Sequence, residues 1–94
     1  MEFKNEEFLA VIKKLNPEFD SHDFIKVFIF DYPESYGNLL IKHKNVTTAH
    51  AEIAKHLLNH AKELNIEKCS GVQPNESMDI FGNQTECAAW KKVL

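Results

Sequence analysis

The sequence contains no arginine. All eleven of its basic residues are lysine, set against fourteen Asp and Glu, for a net charge of −3. Arginine supplies the planar fork that grips phosphate, carboxylate and guanine edges at two points. Its absence weighs against base-specific reading of nucleic acid. The acidic total also repels a phosphate backbone unless lysines gather in a local patch. Cysteine is scarce too, with only Cys69 and Cys87. No N-terminal apolar run precedes a cleavage pattern, so the expected setting is a reducing cytoplasm with both thiols free. No stretch approaches the roughly 18 apolar residues that span a bilayer, and no membrane partner is expected. Glycine and proline number three each, and no phosphate-cradling glycine loop, repeat or low-complexity tract is present.

Core material is plentiful. Ten of the 94 residues are aromatic, seven of them Phe, and 44% are hydrophobic. That argues for a folded chain, read as one small helical domain over 1–94.

Hydrophobic spacing predicts helices. Phe8, Val11, Ile12 and Leu15 repeat at i, i+3, i+4 and i+7 in a first helix over 3–15, which Asn16-Pro17 ends. Asp20 or Ser21 caps a second, with Asp23 in its first turn. Its run Phe24–Phe30 is the most apolar in the chain. Phe24, Ile25, Phe28, Ile29 and Tyr32 share one helical face, while Val27 and Phe30 fall on the other. A buried strand is the competing reading of 24–30, and the cap favours the helix. Pro33 starts a third helix. A fourth runs from a Thr47 or Thr48 cap to about Asn65, with Asn65 placed for a left-handed exit. Thr85 caps a last short helix ending near Trp90 and Val93. Between the last two, residues 68–81 read as a loop or weak hairpin, Lys68–Val72 against Met78–Phe81. The pattern therefore predicts an all-α or mainly α fold: a compact bundle of about five short helices, with a small two-stranded hairpin around 68–81. The three Asn-x-Ser/Thr sequons, starting at Asn45, Asn75 and Asn83, read as turn and cap chemistry.

Residues able to carry chemistry divide into four sets. His56 and His60 share a helix face and, with Cys69 and Cys87, would complete a tetrahedral zinc site. The two Cys are too far apart for the usual paired spacing. Cys87, in the first turn of a helix, would be the thiol for cysteine catalysis, but no glycine elbow accompanies it. His50 takes the centre of the fourth helix's apolar face, a setting that calls for a partner such as Asp23, Asp31 or Tyr32. Lys55, Asn59 and Lys62 offer the fourth helix's polar face to nucleic acid, with 68–81 as a wing.

No catalytic residues and no cofactor are assigned, and no enzyme is expected. The preferred reading is a regulatory or protein-interaction module that binds a protein partner or itself through Val27, Phe30, Met78, Ile80 and Phe81. A small DNA-associated regulator of helix-turn-helix or winged-helix type, using helix 48–64, is the second reading. A zinc or cysteine-based protein is the third.

Overall fold

The structure is a computed structural model describing residues 3–69 and 75–93. Helix α1 (Asn5–Lys14) buries Phe8, Val11 and Ile12 and stops at Leu15, ahead of Asn16-Pro17. A short strand, β1 (Glu18–Asp20), leads directly into α2 (Ser21–Asp31). Asp20 starts α2 through a reciprocal capping box. Its Oδ1 accepts from the Asp23 backbone N–H at 2.7 Å, and its own N–H donates to Asp23 Oδ2 at 3.1 Å. Two orphan donors are satisfied at once, which settles the helix over the strand for 24–30. Pro33 opens α3 (Pro33–His43), which ends at Lys44 in the left-handed region. Asn45 caps α4 (Val46–Asn59) by accepting from the Thr48 N–H at 3.0 Å.

The helices enclose an aromatic core centred on Phe8. Its ring lies 4.7 Å from that of Phe24, 5.6 Å from Phe28 and 4.6 Å, edge-on, from His56. Ile53 and Leu57 of α4 close the core from the other side, fully buried.

Three strands complete the sheet: β1, β2 (Ile66–Lys68) and β5 (Ala89–Lys92), with β5 in the middle and both neighbours antiparallel to it. Trp90 stands opposite Phe19 on one side and Lys68 on the other. Its ring is buried, and its N–H donates to Ser21 Oγ at 3.1 Å. A separate hairpin, β3 (Asn75–Met78) against β4 (Gln84–Cys87), projects from the connection between β2 and β5.

The fold is mostly helical, as expected, but it has four helices and a sheet among the described residues. The fifth helix is replaced by β4 and β5. Residues 84–92 are not rich in strand formers, with only Thr85 and Trp90 β-branched or aromatic. Pairing decides instead, β3 giving the backbone of 84–87 a partner and β1 and β2 giving one to that of 89–92. Lys91 and Lys92 therefore do not complement a helix dipole. Lys91 pairs with Glu67 at 2.8 Å, and Lys92 donates to the Leu15 carbonyl at 2.6 Å. The hairpin register also differs: Met78 pairs with Gln84, and Lys68 pairs with Trp90. Val72 lies outside the described residues. Helix α4 ends at Asn59, before a run of turns that closes with Asn65 in the left-handed conformation.

Candidate functional site

The loop joining β3 to β4 is built around one carboxylate. Asp79 Oδ1 accepts from the backbone N–H groups of Phe81 and Asn83 at 2.9 and 3.0 Å. Gly82 takes φ +83°, a conformation that disfavours any residue with a Cβ. Asp79 thus clamps this loop. The arrangement divides the apolar loop residues. Ile80 turns inward and packs against the core, whereas Met78 and Phe81 are 48% and 63% exposed.

This loop faces the flank of α2. Lys26 and Ile29 from the helix, with Met78, Asp79, Ile80 and Gly82 from the loop, line an open groove of about 480 Å³. Phe30 follows Ile29 directly and is 85% exposed. Val27 has a different setting. It is half-buried against the core and lines a smaller hollow with Lys14, Glu18 and Asp23. Of the five residues read from sequence as a partner surface, Phe30, Met78 and Phe81 are exposed, while Val27 and Ile80 contribute to packing.

A polar cluster borders the groove through Asp79. Tyr36 of α3 and His50 of α4 are hydrogen-bonded, hydroxyl to Nε2, at 2.7 Å. The His50 ring stacks on Phe81 at 6.3 Å between centroids. Partial burial pushes the imidazole below its usual 6.5. The Asp79 carboxylate opposes that shift, and His22 adds to it. Burial likewise raises the Tyr36 phenol. Asp79 is held below the ordinary carboxylate value, first by the Asn83 backbone hydrogen bond and then by that of Phe81, with His22 and His50 contributing charge. His22, His50 and Asp79 therefore lie within electrostatic reach of one another, and the cluster can exchange hydrogen bonds with a polar group entering beside the groove.

His50 is thus half-buried and bonded to Tyr36, not to Asp23, Asp31 or Tyr32. The histidine inside the core is His56, 9% exposed, with Nε2 bonded to Asn5 Oδ1 at 2.7 Å. His56 and His60 do stack, 4.1 Å between rings. His60, however, pairs with Glu63 at 2.9 Å, and no described group of three metal-type donors joins these histidines to Cys69 or Cys87. Cys87 lies in β4, with no helix dipole of its own, and is grouped with Asp20 and His22 instead. The pair Asp20-x-His22 was visible in the sequence. Its connection to a cysteine on a strand 65 residues later was not. Lys55 and Asn59 are exposed on α4, and Lys62 is exposed in the turn beyond it.

No family model, curated protein or solved structure matches this chain. Among the described residues, no helix is long and apolar enough to cross a membrane.

Proposed function

We propose that this protein is a non-catalytic interaction module that binds a protein partner, or a second copy of itself, across the groove between α2 and the 79–83 loop. One observation carries the reading: exposed Met78 lines a groove of about 480 Å³, and Phe30 and Phe81, large, apolar and exposed, each follow a lining residue, Ile29 and Ile80, in the chain. Scattered surface hydrophobes are ordinary. Exposed aromatics and Met are the residue types in which interface anchors concentrate. Lys26 and Asp79 supply a charge of each sign at the rim, suited to orienting a bound segment.

The test combines sedimentation across a concentration series with affinity capture. The wild-type chain is expected to self-associate or retain a defined partner. Phe30→Asp and Phe81→Asp are expected to abolish this with unchanged far-ultraviolet circular dichroism. Leu58→Asp, on an exposed position of α4, should leave it intact. A wild-type chain that stays monomeric and captures nothing overturns the proposal, as does retention by both Asp variants.

A second reading draws on a different observation. The strand order β1-β5-β2 behind a final helix, with a hairpin in the β2–β5 connection, is winged-helix-like in layout. Exposed Lys55, Asn59 and Lys62 would then form the nucleic-acid face. This reading expects salt-dependent retention on duplex DNA, lost in Lys55→Glu with Lys62→Glu.

A further inference from the structure

A separate group of side chains converges where α2 begins. Asp20 caps the helix, His22 is its second residue, and Cys87 closes β4. One donor atom from each lies within 4.8 Å of the other two: a carboxylate oxygen, an imidazole nitrogen and a thiol sulfur. Asp20 is buried, and His22 and Cys87 are half-buried. Among the described residues, no other three His, Cys, Asp or Glu side chains converge in this way.

We propose that Asp20, His22 and Cys87 bind one divalent metal ion of zinc type, chelated through carboxylate, imidazole and thiolate. The donor chemistry fits a borderline-soft cation and not calcium or magnesium, which take oxygen ligands. Metal–ligand bonds of 2.0–2.3 Å in a tetrahedron put donors roughly 3.3–3.8 Å apart, a small adjustment for atoms already this close. Three protein ligands leave a fourth position for water or a ligand.

The same residue types could form a catalytic Cys-His-Asp relay, but the geometry opposes it. A relay sets sulfur and carboxylate against opposite nitrogens of the imidazole, on opposite sides of the ring. Here all three donor atoms crowd together, as chelation requires.

The backbone holds the ligands in place. Ser21 N–H donates to the Ala88 carbonyl at 3.0 Å, and Ser21 Oγ donates to the same oxygen at 3.3 Å. The residue after Asp20 is thereby locked to the residue after Cys87. The capping box fixes Asp20 in turn. It uses Oδ1 as acceptor from Asp23, and a carboxylate has a second oxygen and about four lone-pair sites in all, so capping and ligation are compatible. The partial positive charge at the α2 N-terminus opposes a cation. The two anionic ligands outweigh it.

The test is titration of cobalt(II), then zinc, into the reduced full-length chain. The expected result is one equivalent bound, with a thiolate-to-cobalt charge-transfer band that zinc displaces. Cys87→Ser is expected to abolish the band and Cys69→Ser to leave it. His22→Ala is expected to weaken binding more than tenfold, since losing even an outer-sphere partner costs about 10–100-fold. Asp20→Asn keeps a good cap and should also weaken binding. Zinc protection from alkylation in the wild-type chain, read by peptide mapping, needs no variant and should fall on Cys87 alone. Absence of the band in the wild type overturns the site. So does a band that survives Cys87→Ser, wild-type affinity in His22→Ala, or protection that falls on Cys69.

Discussion

His50 and His56 lie on the same helix, yet only His56 enters the core. The reason is an alanine. Ala49, fully buried, marks the centre of the inward stripe with Ile53, His56 and Leu57, which leaves His50 a residue to one side, bonded to Tyr36. A small residue gives little hydrophobic signal, so the stripe appeared centred on His50. This placement has a pH consequence. The folded imidazole holds its proton less tightly than the unfolded chain does. Between the lowered value and 6.5, the unfolded state therefore binds more protons, and stability rises with pH. The contribution is complete above pH 6.5 and is lost as pH falls through the folded value. Denaturant midpoints measured downward from pH 7 should decline over that window, and His50→Gln should flatten the decline. Asp79 and Glu63, whose values are lowered from 3.8 and 4.5, act at more acidic pH and do not obscure it. An NMR titration midpoint for His50 at or above 6.5 would refute the assignment.

Trp90 is the other residue on which much depends. Its indole N–H is satisfied only through Ser21 Oγ among the hydrogen bonds described. Trp90→Phe removes that bond and part of a buried ring. Lost packing and an altered polar contact together predict about 2 kcal/mol of destabilisation by urea unfolding. A loss below about 0.5 kcal/mol, the range of ordinary surface substitutions, would mean that the ring carries little of the fold.

At the scale of elements, the helix starts can be checked one cap at a time. The threonines at 47 and 48 suggest a cap for α4, but the structure gives that position to Asn45. Asn45→Ala should therefore cost about 1 kcal/mol, while Thr47→Ala, at an exposed position within the first turn, should stay within about 0.5 kcal/mol. Equal losses would return the cap to the threonine.

The helices were legible because their signals are local. Caps, a proline at N1 and a 3.6-residue repeat all lie within one window, and α1, α2 and α3 start or stop where those signals stand. The strands were not. Each of β1 and β2 has three residues, too few for an alternation to register. What makes 89–92 a strand is an edge at 18–20, supplied by the far end of the chain. The candidate sites divide in the same way. Phe30 and the Met78–Phe81 loop were visible as apolar residues without a helical face to fill. The meeting of Asp20 and His22 with Cys87 depends on the same long-range pairing as the sheet, and no local window contains it.

At the scale of the whole molecule, β5 joins parts of the chain that are otherwise remote. Phe19 and Trp90 face each other across the β1–β5 pair, and β2 reaches β1 only through β5. The hairpin has less support, because β3 and β4 pair with each other in a two-stranded sheet separate from the three-stranded one, and isolated hairpins are marginal in water. Two structural units of unequal stability follow. The slower-opening unit contains the aromatic core and β5. The faster contains the hairpin, tethered by Ile80 on the core and by the Ser21–Ala88 bonds at its base. Hydrogen exchange read by mass spectrometry should show amides of 89–92 opening near the global free energy and those of 75–87 well below it. Zinc binding at Asp20, His22 and Cys87 would join β4 to the start of α2, and it should slow exchange over 84–87 with little change in α3. Equal protection of hairpin and core in the metal-free chain would contradict the division into two units. Unchanged hairpin exchange under saturating zinc would separate the metal from the hairpin and place any bound ion elsewhere on the surface.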